Sequence, residues 1–480
     1  MPVAAEDAGA MSPLDLLAEV IGPKNLLRDA DDIAPYAMDW RGTWRGQPLA
    51  VARPGTTAEV AEVVRRCGAA GLGIVPAGGR TGLCGAAVPA GNGPPSIVLS
   101  LERLNRIRQV DARDFSLVAE AGCVVQAVQQ AAAEAGRLLP IQWGAQGTAQ
   151  VGGMLSTNAG GIRTLRWGNA RELVLGLEVV LPDGRVLDDL RRVRKDNSGY
   201  ALRHLFIGAE GTLGVITAAA LRLVPPLRRV ESAFVAVPGP EAALSLYNRL
   251  MESGAELVAF ELCARLCLEM AARHGVGLRM PLPLEAPWYV MLEIAAAHPS
   301  VPLREMLEEA LGAALESGEA LDAAIAESEA QRAMIWKIRE DYPDCARRDT
   351  PAVNTDTAVP VSAVPEFVNT AERALKARWP EGRMAAIGHA GDGNIHLSLH
   401  APEGWPGDRA AWVERAAGME ALVNAIAVSL GGSFSAEHGI GQSKRHAMAT
   451  HKNPVALELM RGIKGALDPE GRMNPGKVLP

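Results

Sequence analysis

Three glycine-rich segments in the first half of the chain constrain its fold more than any other feature. They occupy residues 76–85, 144–161 and 208–217 of a 480-residue chain. Glycine lets backbone N–H groups approach phosphate oxygens, so a glycine loop can hold a phosphate-bearing ligand. The first segment does not read Gly-x-Gly-x-x-Gly, and no Gly-Lys-Ser/Thr occurs, so both common nucleotide fingerprints are missing. One such loop is weak support, but three favour a large, extended cofactor that carries phosphate.

The apolar residues around these segments predict alternating helices and strands. A helix capped by Thr57 has its apolar residues spaced for one buried face. A hairpin over residues 173–187 turns at the Pro-Asp-Gly of residues 182–184. The other predicted elements are strands at 74–75, 97–101 and 116–120 and a helix at 124–135. Because antiparallel elements dominate and no repeated parallel β-α-β unit is visible, the predicted fold class is α+β.

The sequence changes character near Pro225-Pro226, which predicts a domain boundary close to residue 228. Beyond it lie a predicted long helix at 303–326, a β-like run at 288–294 and a further helix at 413–430. The predicted domains are therefore residues 1–228, 229–415 and 416–480, the last being a motif-rich C-terminal segment.

Composition excludes several classes of protein. With 48 Lys and Arg against 55 Asp and Glu, the net charge is −7, whereas a general nucleic-acid binder needs a clustered basic excess. No apolar run reaches the roughly 18 residues of a spanning helix, and residues 1–10 lack the apolar core of a signal peptide. The six cysteines form no Cys-x-x-Cys pair, as is typical of a reducing compartment. We therefore expect no nucleic-acid partner and a cytoplasmic protein, with peripheral membrane attachment as the other option.

The histidines are distributed unevenly and indicate a second site. None of the nine lies in the first 203 residues, and six lie beyond residue 388. His389 and His396 flank a turn rich in Asp, Gly and Asn, so they should lie on neighbouring strands with their rings close together. Converging imidazoles are the usual start of a metal site. Glu437 and His438 offer a carboxylate and another imidazole in a glycine-flanked loop.

The three glycine segments, with residues 176–187 and 194–200, resemble the FAD domain of the vanillyl-alcohol-oxidase (PCMH-type) flavoproteins. From about residue 30 to its end, the chain is most similar to the D-2-hydroxyglutarate and D-lactate dehydrogenase branch. The resemblance implies a two-lobed FAD-binding domain, an α+β substrate (cap) domain and a helical C-terminal segment. Some relatives attach FAD through a histidine of the first domain; no histidine precedes His204 here, so this linkage is not available and non-covalent FAD is expected.

The resemblance also implies how the cofactor is held. The first segment would bind the FAD diphosphate, the second would line the flavin and ribityl chain, and the third would bind the adenine end. Asn474, in the terminal Asn-Pro-Gly-Lys, would lie near the isoalloxazine. The implied cofactor-binding residues are Pro76, Gly78, Gly79, Arg80, Thr81, Gly82, Gly147, Thr148, Gly152, Gly153, Thr157, Asn158, Gly160, Gly161, Glu210, Gly211, Gly214, Ile216 and Asn474.

Chemistry at the histidine-rich site is implied in the same way. His389, His396 and Glu437 would bind a divalent metal, with zinc as the expected ion. A 2-hydroxy acid would chelate this metal through its hydroxyl and one carboxylate oxygen, which lowers the pKa of the hydroxyl. His438 would take the hydroxyl proton while hydride leaves C2 for the flavin N5. Arg339 would bind a substrate carboxylate bidentately.

Three positions depart from the 2-hydroxyglutarate enzymes, many of which have Lys where Asn354 stands. Thr can occur at the position of Pro343, and Asn at that of Ser398. Losing a cation weakens the case for a distal carboxylate by about 1.5–3 kcal/mol. Asn354 and Ser398 remain the expected substrate contacts beside Arg339, and Arg347 or Arg348 could compensate. The reaction type is therefore predicted more firmly than the particular acid.

Together these features predict an FAD-dependent dehydrogenase that oxidises a D-2-hydroxy acid, of the D-2-hydroxyglutarate or D-lactate type, to the 2-oxo acid. The electron acceptor would be an electron-transfer flavoprotein, a quinone or a cytochrome, and a homodimer is expected from relatives that dimerise. Two alternatives remain open. One is a non-redox flavin transferase of the alkyl-dihydroxyacetone-phosphate synthase type, and the other is a metal-dependent hydrolase in which the histidines activate water.

Overall fold

The computed structural model describes residues 11–91 and 93–480. The prediction that no signal peptide is present concerns residues 1–10, which lie outside this part of the chain. Helices and sheets are mixed throughout, which confirms the α+β prediction. Within the described residues, no helix combines the length and apolarity needed to cross a bilayer. All six cysteines are buried as free thiols.

A four-stranded sheet opens the fold. Its elements are α1 (Pro13–Ile21), β1 (Leu26–Leu27), α2 (Ala30–Ile33), β2 (Val51–Ala52), α3 (Thr57–Ala69), β3 (Gly73–Ala77) and β4 (Ser96–Ser100). The strand order is β1-β2-β4-β3, and β4 pairs in parallel with both β2 and β3. This differs from the predicted antiparallel arrangement, because α3 carries the chain from the end of β2 to the start of β3.

Helix α3 buries the predicted apolar face against this sheet, but its cap differs from the prediction by one residue. The hydroxyl of Thr56, not that of Thr57, accepts the N–H of Glu59. The Thr57 hydroxyl instead donates to Glu178 of the next sheet, 2.6 Å away. Thr57 therefore ties the helix to its neighbour.

The second sheet is antiparallel, with order β5-β6-β9-β7-β8. Its region comprises β5 (Ile107–Asp111), β6 (Ser116–Glu120), α4 (Val125–Glu134), α5 (Val151–Ser156), α6 (Thr164–Trp167), α7 (Ala170–Leu173), β7 (Val174–Val180), β8 (Val186–Asp189), α8 (Arg203–Phe206) and β9 (Val215–Arg222). The predicted hairpin is confirmed as β7-β8, and Gly184 adopts φ +80° in its turn. The second glycine segment is not wholly irregular, because its centre forms α5.

The third sheet belongs to the predicted cap domain and has eight strands, in the order β13-β10-β12-β11-β16-β17-β14, with β15 also pairing with β17. Its elements are β10 (Arg229–Val237), α9 (Pro240–Glu252), β11 (Glu256–Ala264), α10 (Arg265–His274), β12 (Trp288–Ala296), α11 (Leu303–Ser317), β13 (Asp322–Ile325), α12 (Glu329–Asp349), β14 (Ala352–Asn354), β15 (Thr357–Ala358), α13 (Val364–Arg378), β16 (Arg383–Gly388), β17 (Asn394–His400), α14 (Arg409–Arg415) and α15 (Met419–Ser429). The chain ends with α16 (Arg445–His451) and α17 (Pro454–Leu467).

Two predicted helices are each divided by a glycine. The helix expected at 303–326 stops at Gly318, which has φ +76°, and the chain then continues as β13. The helix expected at 413–430 is α14 followed by α15, which begins after Gly418 at φ +87°. Because Met419 and Val423 of α15 lie in the same hydrophobic core as Phe367 of α13, the predicted division at 415/416 runs through one packed unit.

The face of the third sheet that packs against α12 provides the candidate site. Residues paired across antiparallel strands point to the same face, and Ile387 pairs with both Cys263 and His396. The C-terminal tail returns to the first lobe, where Ile74 donates its N–H to the carbonyl of Arg472 (2.9 Å). The tail therefore lies beside the first glycine segment.

Candidate active site

His389 and His396 come together as predicted, because β16 and β17 form a hairpin. His389 follows β16 directly, and His396 lies opposite Ile387 in the register. The two rings are 6.2 Å apart between centroids and almost perpendicular at 78°. His389 is buried and His396 is partly buried, so the hairpin presents two imidazoles at one end of the cap sheet.

Glu437 completes this pair from a loop that is distant in sequence. Its Oε1 lies 3.4 Å from Nε2 of both His396 and His438, and its Oε2 lies 3.9 Å from Nε2 of His389. Ligand atoms of His389, His396 and Glu437 all lie within 4.8 Å of one another. Two imidazoles and a carboxylate are a common ligand set for a catalytic divalent metal such as zinc, so the residues fit the ion that the sequence predicted.

Two buried carboxylates hold the loop in place, a task that sequence analysis gave to neither. Asp356 accepts the N–H of Glu437 (3.3 Å) and that of His438 (3.0 Å). Glu210 accepts the next N–H groups, those of Ile440 (2.7 Å) and Gly441 (2.8 Å). Sequence analysis did not name Asp356 and assigned Glu210 to the cofactor. In the structure both carboxylates fix the loop that carries Glu437 and His438.

Asp356 also faces the imidazoles. Its Oδ2 lies 3.4 Å from Nδ1 of His438, and its Oδ1 lies 4.0 Å from Nδ1 of His396. Lys444 donates to it at 2.9 Å. Burial would raise the pKa of Asp356, but His438, Lys444 and His396 offset burial and lower it to about 2. A carboxylate on the Nδ1 side directs Nε2 of His438 toward the centre of the site.

Glu261 is the other residue that sequence analysis missed. It lies on β11 with no exposed surface and contacts Nδ1 of His389, while Arg339 donates to its other oxygen at 2.6 Å. Burial alone would raise its pKa, but His389 and Arg339 together lower it to about 2. Glu261 therefore leaves Nε2 of His389 free to face Glu437, as the outer carboxylate of a metal-bound histidine does. A charged residue inside the apolar run of β11 was the sequence signal for it.

The predicted substrate residues lie on two parts of the cap domain, helix α12 and the strand pair β14–β17. Arg339, on α12, is partly buried beside Glu261, with 11% of its side chain exposed, and lies within electrostatic range of Glu437. Asn354 and Ser398 lie opposite each other on β14 and β17, and the Ser398 hydroxyl donates to the Asn354 side chain at 2.7 Å. Because Ser398 is two residues from His396 on one strand, both side chains point to the same face of the sheet.

The three glycine segments contact one another. A Cβ on Gly79 would lie 2.1 Å from the Thr148 carbonyl oxygen, and a Cβ on Gly211 would lie 2.9 Å from Pro76. Asn474 donates to the carbonyls of Ala86 (3.1 Å) and Glu210 (2.6 Å). The first, second and third segments and the tail therefore form one continuous wall. The predicted residues near these contacts are Gly78, Arg80, Thr81, Gly82, Gly147, Gly152 and Gly153.

The other predicted cofactor residues contact neighbouring protein groups. The Asn158 side chain accepts the N–H of Arg171, and the Thr157 hydroxyl bonds to the carbonyl of Gly153. A Cβ on Gly160 would meet Asn169, and one on Gly161 would lie 2.0 Å from the Gln142 carbonyl oxygen. Gly214 packs against Val179. Ile216 belongs to the core of the second sheet, so its side chain is committed to packing.

This wall fits an extended polar cofactor. Arg80 Nη1, Gln150 Oε1 and Asn474 Oδ1 are buried without a hydrogen-bond partner, which is costly unless a ligand supplies one. A Cβ on Gly82 or Gly153 would meet no atom within 4 Å, so the backbone is open on that side. Four of the non-glycine residues with positive φ are predicted cofactor residues, and such strain concentrates at ligand sites. They are Arg80, Asn158, Glu210 and Asn474.

Comparison with known families and solved structures agrees with this geometry. The family model "FAD binding domain" matches residues 48–189, and "FAD linked oxidases, C-terminal domain" matches residues 227–478. The alkyldihydroxyacetonephosphate synthase structure superposes with TM-score 0.74 at 16% identity, covering 99% of this chain and 87% of that one. A p-cresol methylhydroxylase structure with substrate bound superposes with TM-score 0.73 at 15% identity, covering 97% of this chain and 96% of that one. These likenesses show the fold, and the family models place the chain among the FAD-linked oxidases.

Relatives in sequence narrow the class. The chain is 37% identical to D-2-hydroxyglutarate dehydrogenase of Xanthomonas citri pv. viticola over 96% of both chains. It is 36% identical to "D-2-hydroxyglutarate dehydrogenase, mitochondrial" of Bos taurus, over 100% of this chain and 86% of that one. The D-2-hydroxyglutarate dehydrogenase of Stutzerimonas stutzeri is 33% identical, over 97% of this chain and 98% of that one. The chain therefore belongs to the D-2-hydroxyglutarate dehydrogenase family, which confirms the resemblance and FAD as the cofactor.

Proposed function

We propose that the protein oxidises a D-2-hydroxy acid to the 2-oxo acid, with non-covalent FAD and a divalent metal, zinc being the expected ion. The observation that carries the proposal is the convergence of His389, His396, Glu437 and His438 with Arg339 on one face of the cap sheet. Family membership supports the same reaction. A cytoplasmic location, a homodimer and an electron-transfer flavoprotein, quinone or cytochrome as acceptor complete the proposal.

Each protein group has a distinct task in this reaction. Arg339 binds the substrate carboxylate, because its guanidinium can donate two parallel hydrogen bonds. His438 accepts the hydroxyl proton at Nε2, and Asp356 stabilises the resulting imidazolium from the Nδ1 side, 3.4 Å away. His389, His396 and Glu437 would hold a divalent metal, which would supply polarisation of the substrate hydroxyl. The wall formed by the glycine segments would hold FAD, which would supply the hydride acceptor for C2.

The most direct test is anaerobic bleaching of the flavin by a panel of D- and L-2-hydroxy acids, with and without a chelator. We expect D-acids to bleach the flavin and the chelator to suppress the effect. A flavin transferase would show no bleaching, and a metal-dependent hydrolase would keep its activity after FAD removal. Bleaching that is insensitive to a chelator would remove the metal from the proposal.

A glycine substitution tests the cofactor wall separately from turnover. Gly153 lies within α5, where Ala is favoured over Gly by roughly 0.5–1 kcal/mol, and its Cβ would enter open space. We therefore expect Gly153→Ala to keep or raise the Tm of the FAD-free protein but to weaken FAD binding about tenfold or more, because the methyl occupies cofactor space. Fluorescence titration of FAD into the apoprotein measures the affinity.

Gly79→Ala is the matched comparison, because its Cβ would strike the Thr148 carbonyl rather than open space. It should lower the Tm even without FAD. Unchanged FAD affinity in Gly153→Ala would show that the cofactor does not contact this part of the wall.

A further inference from the structure

The loop over residues 435–443 runs between the cap domain and the cofactor wall. It carries Glu437 and His438, and it lies between α15 and α16. Because the loop contains no helix or strand, its backbone has no regular ladder of hydrogen bonds to hold it. Its position is therefore set by bonds to the surrounding protein, and these bonds come from two different domains.

The first half of the loop is held by the cap domain. The Asp356 carboxylate accepts the N–H groups of Glu437 (3.3 Å) and His438 (3.0 Å). Ala436 donates its N–H to the backbone carbonyl of Asp356 at 3.3 Å. Asp356 lies between β14 and β15 of the cap sheet, which also carries the two histidines of the metal-type site. The first half therefore keeps Glu437 close to those histidines.

The second half of the loop is held by the cofactor wall. The Glu210 carboxylate, in the third glycine segment, accepts the N–H groups of Ile440 (2.7 Å) and Gly441 (2.8 Å). The Gln442 side chain donates to the carbonyl of Gly85 (2.9 Å), at the end of the first glycine segment. This half is therefore fixed to the segments that are predicted to bind FAD.

Glu210 belongs to the wall through its backbone and to the loop through its side chain. Its backbone has φ +51°, and its carbonyl accepts the Asn474 side-chain amide at 2.6 Å. The other polar atom of that side chain, Asn474 Oδ1, is buried without a hydrogen-bond partner. A buried acceptor of this kind needs a donor from a ligand. A cofactor that supplies the donor fixes Asn474 and, through it, Glu210.

We propose that Glu210 is a positioning residue that couples FAD binding to metal binding, because it carries order from the cofactor wall to the loop of Glu437. This inference rests on the proposed function, since it takes His389, His396 and Glu437 as the metal ligands. Metal binding must order the loop, which costs conformational entropy. When FAD has already ordered Glu210, this cost is smaller and the metal binds more tightly. By linkage, the metal must tighten FAD binding by the same factor.

Titration of Zn²⁺ into the full chain, with and without FAD, measures this coupling as the ratio of two dissociation constants. We expect FAD to tighten Zn²⁺ binding about tenfold, within the range of roughly 5- to 150-fold that is typical of coupled sites. Titration of FAD with and without Zn²⁺ should give the same factor. In Glu210→Gln the side-chain amide faces one loop N–H with a donor, so the factor should fall to about 1–2.

Glu178→Gln is the matched control, because Glu178 is also a buried carboxylate of the FAD-binding domain. It accepts the hydroxyls of Thr57 (2.6 Å) and Thr217 (2.8 Å), and none of its hydrogen bonds in the described chain reaches the 435–443 loop. It should lower the Tm but keep the coupling factor. If Glu210→Gln does not fold, Gln442→Ala serves as the second test. It leaves Glu210 in place, removes the bond to Gly85 and should lower the factor in part.

Hydrogen exchange of the Ile440 and Gly441 amides gives a readout that needs no metal. FAD should slow this exchange in the wild type and in Glu178→Gln, but not in Glu210→Gln. A Glu210→Gln variant that keeps the full coupling factor would overturn the proposal. If Zn²⁺ binds but FAD changes neither its affinity nor the exchange, the coupling alone is overturned. If Zn²⁺ binds neither with nor without FAD, the proposed function loses its metal and the coupling falls with it.

Discussion

Glu437→Gln is expected to remove the bound metal and to lower kcat/KM by about 10³-fold or more, the range for loss of combined metal and acid–base catalysis. The Glu437 carboxylate is the group that the imidazoles share, since its oxygens lie 3.4 Å from His396 and His438 and 3.9 Å from His389. Gln has nearly the same shape but no charge, so it is a far weaker ligand for a divalent cation. Metal content per subunit and steady-state kinetics measure the two effects.

Glu458→Gln is a suitable control, because Glu458 is an exposed carboxylate on α17. It should keep both the metal and the activity. An inactive Glu437→Gln variant that still holds one metal per subunit would mean that the carboxylate acts on the substrate and not as a ligand.

Local sequence patterns predicted the elements whose structure is decided over a few residues. The hairpin over β7 and β8 follows from its Pro-Asp-Gly turn, and the buried face of α3 follows from helical spacing. The turn between His389 and His396 is also decided by a few neighbouring residues. The approach of these two histidines was therefore visible from the sequence alone.

Contacts between distant segments were not visible in this way. Glu261 and His389 are 128 residues apart and meet because β11 pairs with β16. Asp356 and Glu437 are 81 residues apart and meet because Ser433, shortly before Glu437, pairs with Ala358. The parallel pairing of β4 with β2 and β3 has the same origin, because periodicity does not reveal which strands become neighbours. The resemblance to a flavoprotein family predicted the candidate metal ligands, whereas the carboxylates behind them needed the fold.

Glu261→Gln should show how strongly the site depends on these buried carboxylates. Its carboxylate has no exposed surface and is shared by His389 and Arg339. Removing the charge leaves a buried guanidinium without its partner, which typically costs about 3–5 kcal/mol of unfolding free energy. It also removes the group that orients His389, so metal affinity should fall about 10- to 100-fold. Denaturant unfolding of the metal-free protein and metal titration measure the two losses separately.

Glu256→Gln provides a control on the same strand, β11. Glu256 also pairs with an arginine, Arg166, at 2.8 Å, but the side chains are 43% and 45% exposed. An exposed pair of this kind is worth about 0–1 kcal/mol, and Glu256 contacts none of the metal ligands, so both losses should be small. If Glu261→Gln destabilised the metal-free protein but kept full metal affinity, Glu261 would serve only to neutralise Arg339. A loss of metal affinity at unchanged stability would instead assign it to the orientation of His389 alone.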